Sequence, residues 1–230
     1  MKKKIAILGS TGSIGTSTLE VIKKDKRNFD VILLSANNNY KKLIQQAKNF
    51  NAKNVLIKNR SLYKKVKNSL KKTRTKIYSG DTPITKIITG KLDYTMSAIV
   101  GLAGLQPTVD AIKVSKIVAL ANKETIICGW HILSKLKKKY KTEIIPVDSE
   151  HFSIMELTKN INNNEVEEII ITASGGPFFN TLKKKLNYIK PKNLGEITRI
   201  SGVTPAAVIN ILRFINKKTT NYSKKNKCAI

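Results

Sequence analysis

The sequence predicts an α/β protein with a largely parallel sheet. Short apolar runs alternate along the chain with longer segments whose apolar residues have helical spacing. The first apolar run leads straight into a glycine-rich turn and then a helix, as at the start of a strand–helix–strand unit. The chain has 230 residues, 41% of them hydrophobic, which is enough to bury a sizeable core and argues against wholesale disorder.

The predicted strands are short apolar runs that helical segments separate. In chain order, they cover residues 5–8, 31–35, 55–57, 77–78, 94–100, 117–120, 144–147 and 169–172. The predicted helices cover 12–24, a segment with Leu43, Ile44 and Ala47 on one face, 105–115, and a segment from about 123. Residues 181–227 are rich in Lys and helical in pattern. The change in character after Pro177 therefore marks a candidate domain boundary.

The chain is strongly basic, with 43 Lys and Arg residues against 15 Asp and Glu residues and a formal net charge of +28. Such a charge is found in proteins that bind nucleic acids or anionic membranes. The cations are nearly all Lys and are scattered among many Asn residues, so we interpret most of them as a solvated surface. A positive field would also attract anionic substrates and NADP-type cofactors.

The sequence indicates neither a membrane-spanning protein nor one built on cysteine-bound metals or disulfides. No stretch is long and apolar enough to span a membrane, since the least charged one, 95–109, contains two Gly and a Pro. Cys128 and Cys228 show neither metal-ligand spacing nor a disulfide framework. We therefore expect a cytoplasmic protein with no membrane partner.

The glycine-rich turn has the sequence context of a phosphate-binding loop. Gly9, Gly12 and Gly15 follow the first strand directly, and a helix begins within the loop. Glycines let the backbone approach a pyrophosphate, and the amides at a helix N-terminus attract its charge. Further hydroxyls that can bind phosphate come from Ser10, Thr11 and Ser13. The spacing is GxxGxxG rather than GxGxxG, so a strand–helix turn without a ligand is the alternative.

The end of the second strand favours NADP over NAD. NAD-binding proteins usually have Asp or Glu at this point, where the carboxylate binds the ribose hydroxyls. This chain instead has Asn37, Asn38 and Asn39, with Lys41 and Lys42 close behind. Because there is no acid and two cations are near, the sequence predicts a site for a 2′-phosphate.

Polar residues also follow the strand at 117–120. Asn122, Lys123 and Glu124 come directly after it, where ligands bind in open parallel sheets. A helix N-cap is the alternative explanation, in which Asn122 caps the helix and Glu124 favours its positive end. A cap does not explain Lys123, which is therefore a candidate site residue.

Two acids follow the strand at 144–147. Asp148 and Glu150 would point to the same side of an extended segment and would repel each other unless a cation lay between them. Carboxylate oxygens suit Mg²⁺ or Mn²⁺. A surface turn explains the spacing equally well, but such a pair is unusual in a chain with only 15 acids.

The remaining candidates are Ser174 and the two histidines. The Ser174-Gly-Gly-Pro stretch follows the last predicted strand, and its hydroxyl and amides could receive a phosphate, although a simple turn is the alternative. His151 adjoins the two acids, and His131 lies beside Trp130 in an apolar helix, where packing explains it better than catalysis.

These clusters together resemble the family of 1-deoxy-D-xylulose 5-phosphate reductoisomerases. The matching stretches are ILGSTGSIGTSTLEVI, AIVGLAGLQPT, LANKET, PVDSEH and TASGGPF, all within residues 4–180. Several distinctive motifs in one order are far more specific than any one of them. The resemblance implies a Rossmann-type NADP-binding domain followed by the front part of an α/β catalytic domain, and it suggests a homodimer.

The resemblance also implies a reaction. Members of the family rearrange 1-deoxy-D-xylulose 5-phosphate to a branched aldehyde and reduce this with NADPH to 2-C-methyl-D-erythritol 4-phosphate, in non-mevalonate isoprenoid biosynthesis. A divalent metal, Mg²⁺ or Mn²⁺, binds the carbonyl and hydroxyl oxygens of this small phosphorylated sugar and stabilises the developing charge.

Particular residues acquire roles through the resemblance. The cofactor contacts would be Thr11, Gly12, Ser13, Ile14, Asn37, Asn38, Asn39, Asn122 and Glu124. The metal ligands would be Asp148 and Glu150. The substrate contacts would be Lys123, Ser149, Glu150 and Ser174, with Lys123 and Glu150 as catalytic residues. Typical members have Gly-Lys-Asn at 37–39, so we expect this chain to bind NADPH differently from them.

The chain departs from the family after the TASGGPF stretch. Typical members continue with a segment that supplies a flexible lid and a third carboxylate ligand, and we do not find that segment here. Without it the cation would be held weakly and water would not be excluded, so we expect limited turnover. Instead, residues 186–218 resemble the C-terminal helical end of the glucose-inhibited division family, flavoproteins that modify wobble uridine in tRNA. A gene fusion, a decayed gene and an assembly error would each give such an arrangement.

The sequence therefore predicts three parts. An NADP-binding domain covers 1–145, part of a catalytic domain covers 146–182, and a basic helical tail covers 183–230.

The sequence leaves open two functions other than catalysis. The tail has a helix–turn–helix pattern that could bind RNA or DNA, although packing on a partner or on its own domain is the simpler explanation. The chain could also be a non-catalytic protein that binds NADPH.

Overall fold

The computed structural model describes residues 2–162, 165, 166 and 168, in which seven strands alternate with helices. The strands are β1 (Lys3–Leu8), β2 (Phe29–Ala36), β3 (Asn54–Ile57), β4 (Lys76–Ser79), β5 (Leu92–Ser97), β6 (Ser115–Leu120) and β7 (Glu143–Pro146). The α-helices are α1 (Ser13–Lys24), α2 (Tyr40–Asn49), α3 (Tyr63–Leu70), α4 (Ile84–Ile87), α5 (Leu105–Val114), α6 (Lys123–Tyr140) and α7 (Ser149–Thr158).

All seven strands form one parallel sheet with the order β4-β3-β2-β1-β5-β6-β7. The chain runs outward from β1 to β4 and then returns to place β5 on the other side of β1. The direction of winding therefore reverses between β1 and β5. In open α/β sheets, the crevice at the carboxyl ends of the strands at such a reversal is where ligands bind. This is the doubly wound, Rossmann-type architecture that the sequence predicts.

The core consists of two apolar layers, one on each face of the sheet. Successive side chains of a strand point to opposite faces, so Ile5 and Ile7 of β1 enter one layer while Ala6 and Leu8 enter the other. The first layer includes buried residues of α1, α2 and α3, and the second includes those of α4, α5 and α6. Both faces of β1 are thus covered, which fixes the loop that leaves its carboxyl end.

The structure confirms most of the predicted elements and corrects one boundary. The strand predicted at 94–100 ends at Ser97, because the chain turns into a loop that includes Gly101 with φ +72°. The helices α3, α4 and α7 were not predicted. In α7 the large apolar side chains of Phe152 and Leu157 are exposed, so no apolar stripe signals the helix. The strand predicted at 169–172 and the tail lie outside the described residues.

No helix in the described part of the chain combines the length and the apolar character that crossing a membrane requires.

Candidate functional site

The carboxyl ends of β1, β5 and β6 enclose a cleft of about 220 Å³. It lies at the reversal of strand order, where the fold places ligands. The lining residues are Gly12, Ser13, Ile14, Ala98, Ile99, Val100, Ala121, Asn122, Lys123 and Glu124. The structure therefore brings together the glycine loop and the residues after β6, which the sequence predicts as separate parts of one site.

Two of the three loop glycines are required by close backbone packing. Gly9 has φ +78°, and a Cβ there would lie 2.7 Å from the carbonyl oxygen of Ala98. A Cβ on Gly15 would lie 2.4 Å from the carbonyl oxygen of Gly9. Both distances are shorter than any side chain tolerates, so these glycines allow the loop to pack against the 98–101 loop that follows β5 and against itself.

Gly12 differs because nothing in the packing of the protein demands glycine there. Its φ of −73° suits any residue, and the nearest atom to a Cβ would be the Gly9 oxygen, at an ordinary 3.4 Å. Gly12 is also the N-cap of α1, where it provides no side-chain hydrogen bond, and the first turn contains no acid. The unpaired amides and the positive end of the helix therefore face the cleft without a protein group to neutralise them. This arrangement suits an anion such as a pyrophosphate.

Ser10 is not available to a phosphate, contrary to the sequence-based expectation. Its side chain is fully buried and donates a hydrogen bond to Oε1 of Gln46 at 2.8 Å. The Gln46 amide returns a hydrogen bond to the Ser10 carbonyl at 2.8 Å, which joins the loop to α2. Ser10 thus fixes the loop, whereas Ser13 is exposed in the cleft lining and Thr11 is half-buried.

The three asparagines after β2 are exposed, and two of them are held in place by hydrogen bonds. Asn39 caps α2 by accepting from the Lys42 amide at 3.2 Å. Asn38 accepts from the side-chain amide of Asn59, at the end of β3, at 2.9 Å. Asn59 was not predicted from the sequence, since only the pairing of β2 with β3 brings it to this edge.

Asn122 is buried, and both ends of its side-chain amide are occupied by the protein. Its oxygen caps α6 by accepting from the Thr125 amide at 3.0 Å, as the alternative explanation predicts. Its nitrogen donates to the carbonyl oxygens of Ile99 and Gly101, at 2.5 and 2.6 Å. Asn122 therefore fixes the 98–101 wall of the cleft, while Lys123 is exposed beside it and Glu124 is half-exposed.

Asp148 lies after β7 and caps α7. Its Oδ1 accepts from the His151 amide at 3.0 Å and lies 2.6 Å from Nδ1 of the same residue. Burial of the carboxyl acts to raise the pKa of Asp148, but the hydrogen bonds and charge of His151 lower the pKa below its usual value. The second oxygen, Oδ2, is buried and has no hydrogen-bond partner within the described structure. A buried anionic oxygen without a donor suits a cation.

Asp148 and Glu150 do not share one extended segment, contrary to the prediction from their spacing. Ser149 and Glu150 begin α7, and only Asp148 keeps an extended backbone. The side chains of Ser149 and Glu150 lie outside the described part of the structure, as does Ser174. Among the residues that the structure describes, no group of three or more His, Cys, Asp or Glu side chains is gathered for a metal ion.

A second cleft, of about 200 Å³, lies at the opposite end of the sheet. Its lining includes Lys2, Lys26, Phe29 and Phe50 and none of the predicted site residues.

Comparison with protein families gives three matches. Residues 5–129 match the model of 1-deoxy-D-xylulose 5-phosphate reductoisomerase, and residues 144–197 match that of its C-terminal domain. Residues 180–229 match the model of the tRNA modifying enzyme MnmG/GidA C-terminal helical bundle. The second and third matches overlap over 180–197.

Curated relatives give the same family. The chain is 51% identical over 193 residues to the 1-deoxy-D-xylulose 5-phosphate reductoisomerase of Pelagibacter ubique, covering 83% of this chain and 50% of the relative. It is 44% identical over 198 residues to that of Wolbachia pipientis wMel, with coverages of 85% and 50%. The chain thus spans about half the length of the curated relatives that it matches.

Solved structures of this enzyme share the fold. The reductoisomerase of Zymomonas mobilis in complex with NADPH has a TM-score of 0.74 and 37% identity, covering 90% of this chain and 51% of that one. A reductoisomerase in complex with NADPH, fosmidomycin and magnesium has a TM-score of 0.72 and 29% identity, with coverages of 85% and 50%. The first family model alone matches more than half of the chain. The chain belongs to the 1-deoxy-D-xylulose 5-phosphate reductoisomerase family.

Proposed function

We propose that the chain binds NADPH in the cleft at the ends of β1, β5 and β6 and acts as a 1-deoxy-D-xylulose 5-phosphate reductoisomerase. The observation that carries this proposal is the meeting of two groups across one cleft: the uncapped N-terminus of α1 at Gly12 and the 122–124 segment after β6. Relatives solved with NADPH and with magnesium support the assignment of the ligands.

The residues present fit the cofactor. Thr11, Gly12, Ser13 and Ile14 would hold the pyrophosphate at the start of α1, and Asn37, Asn38 and Asn39 would bind the 2′-phosphate beyond β2. Asn122 would contribute to NADPH binding by holding the 98–101 wall of the cleft in place. Glu124 would contact the nicotinamide half of NADPH. The first turn of α2 contains no Asp or Glu, so no carboxylate of this helix would repel a phosphate there.

The metal and substrate contacts are proposed from the geometry of Asp148 and from the resemblance to the family. The unpartnered Oδ2 of Asp148 fits Mg²⁺ or Mn²⁺, with Glu150 as a second ligand and catalytic residue. Lys123, Ser149 and Ser174 would bind the phosphorylated sugar, and Lys123 would place its charge near the reacting oxygens. When bound, NADPH would supply the hydride, and the metal would stabilise the negative charge that develops on the substrate.

The organisation of the chain is proposed on the same grounds. Residues 1–145 would form the NADP-binding domain, 146–182 part of the catalytic domain, and 183–230 a basic tail. A homodimer and a cytoplasmic location complete the proposal, by analogy with the family.

Turnover tests the catalytic part of this proposal. The chain is mixed with NADPH, Mn²⁺ and 1-deoxy-D-xylulose 5-phosphate, and the absorbance of the reduced nicotinamide is followed. We expect slow oxidation that needs all three and is lost in Asp148→Asn, because the neutral amide is a poor ligand for a hard cation. Asp25→Asn removes the same charge from an exposed site and should change nothing. Oxidation that persists unchanged in Asp148→Asn would contradict the assignment.

A second function, RNA binding by the tail, is favoured by the match of residues 180–229 to a helical bundle of a tRNA modifying enzyme. This function predicts an affinity for RNA that falls steeply with salt and is lost on removal of 183–230. RNA binding that survives the removal of the tail would rule the tail out as the binding element.

A further inference from the structure

Six cations gather where β2 and β3 end. We name this set the cationic cluster; its members are Lys41, Lys42, Lys58, Arg60, Lys64 and Lys65. Paired parallel strands end at the same edge of the sheet, and Ala36 of β2 is the partner of Ile57 of β3 there. The ammonium of Lys65 lies 5.6 Å from the ring centre of Tyr40, which brings the start of α3 next to the start of α2.

The positions of Lys41 and Lys42 are unfavourable with respect to the dipole of α2. In α1 and α5 every lysine lies in the last turn, where the negative end of the helix favours it. In α2, Lys41 and Lys42 are in the first turn, which contains no acid. Here the positive end of the helix repels them. A bound anion would remove that repulsion, so the pattern suits a ligand with negative charge.

Lys42 is the member of the cluster that reaches the glycine loop. Its Nζ donates to the carbonyl oxygen of Thr11 at 3.2 Å, and its side chain is half-buried. Lys58 and Arg60 are instead turned to Asp81: Lys58 is ion-paired with it, and the Arg60 guanidinium lies 4.0 Å away. An ammonium has three donors, so Lys42 retains two after its bond to Thr11.

We propose that Lys42 is the residue that selects NADPH over NADH in this chain. The inference rests on the proposed cofactor site. Lys42 lies between the loop assigned to the pyrophosphate and the asparagines assigned to the 2′-phosphate. NADH has only hydroxyl groups at this point and gains nothing from a cation, whereas a phosphate dianion does.

The test compares four nucleotides in four forms of the full chain: the unaltered protein, Lys42→Gln, Lys42→Arg and Lys48→Gln. NADPH and NADH are titrated and followed by nicotinamide fluorescence, and the pair 2′,5′-ADP and 5′-AMP is titrated by calorimetry as a readout without nicotinamide. In Lys42→Gln, NADPH and 2′,5′-ADP should bind about tenfold more weakly, or about 1.4 kcal/mol, while NADH and 5′-AMP change less than about twofold. Lys48→Gln removes the same charge at the other end of α2 and should keep the preference, as should Lys42→Arg.

Three results would count against the inference, and they are distinguishable. Equal weakening of NADPH and NADH in Lys42→Gln would mean that Lys42 only holds the loop through Thr11. An unchanged preference in Lys42→Gln would mean that another group selects the 2′-phosphate. Failure of the unaltered chain to bind either nucleotide would contradict the proposed function itself, and this inference with it.

Discussion

The three glycines of the loop, Gly9, Gly12 and Gly15, do not have the same surroundings. A Cβ would collide with backbone atoms at the first and last positions and would find ordinary space at the middle one. The packing of the protein explains two of the glycines. For Gly12, the proposed explanation is a ligand that approaches the start of α1. The sequence alone shows the spacing of the three but not this division of roles, because the division depends on how the loop packs against Ala98 and against itself.

A pair of alanine variants tests this division. Gly15→Ala should lower the free energy of unfolding by about 1–3 kcal/mol, because its Cβ would lie 2.4 Å from a backbone oxygen that cannot move freely. Gly12→Ala should change stability by less than about 1 kcal/mol, yet weaken NADPH binding by about tenfold or more. Urea unfolding and a nucleotide titration measure the two effects. Full NADPH affinity in Gly12→Ala would show that the cofactor does not approach this glycine.

Ser10 and Asn122 show how far residue type predicts role. Both were candidate ligand contacts by their position after a strand. The structure uses the Ser10 hydroxyl for Gln46 and both ends of the Asn122 amide for the backbone. Such uses depend on long-range partners, 36 residues away for Ser10, so local spacing cannot reveal them. In contrast, the cap formed by Asn122 is local, and the sequence predicts it correctly.

At the scale of elements, the start of α6 and the 98–101 loop form one unit through Asn122. The sequence predicts the strands and the long helices on either side, because their apolar periodicity is strong. It extends β5 by three residues, since Ala98, Ile99 and Val100 are apolar although they belong to the loop. It also misses α7, whose apolar residues do not form a buried stripe.

Asn122→Ala should loosen this unit. We expect the free energy of unfolding to fall by about 2 kcal/mol, because the cap is lost and two part-buried carbonyl oxygens lose their donor. NADPH binding should weaken as well, since the wall of the cleft is no longer fixed. Hydrogen exchange at 98–104 measures the loosening directly. Asn68→Ala, an exposed change on α3, is the control and should leave both quantities unchanged.

An ion pair at the amino ends of the strands, opposite the cleft, predicts how stability depends on pH. Asp93, at the start of β5, accepts hydrogen bonds from the side chain of Lys116 and the amide of Lys4, and these lower its pKa. A lowered pKa in the folded state means that the interaction stabilises the protein above the unfolded pKa of Asp, about 3.9, and is lost as the pH falls through the lower folded value. The difference in unfolding free energy between the unaltered chain and Asp93→Asn should therefore shrink between pH 6 and pH 3. A constant difference over that range would contradict the ion pair.

At the scale of the whole molecule, the sheet order places the site. The alternation of strands and helices predicts a parallel sheet. No local sequence pattern, however, predicts that β5 pairs with the other side of β1 after β4. That return brings β5 and β6 beside β1, and with them the 98–101 and 122–124 segments beside the glycine loop. Six of the ten residues that line this cleft were candidates from the sequence one by one, whereas their meeting in one cleft required the topology.

The central claim is that this cleft binds NADPH, and thermal unfolding of the full chain with added nucleotide tests it most directly. A ligand that binds only the folded state stabilises it by about 2.7 kcal/mol at one hundred times its dissociation constant. We predict that the midpoint of unfolding rises with NADPH concentration, rises less with NADH, and rises less with NADPH in Gly12→Ala at the same concentrations. A midpoint that stays constant up to millimolar NADPH in the unaltered chain would contradict the account.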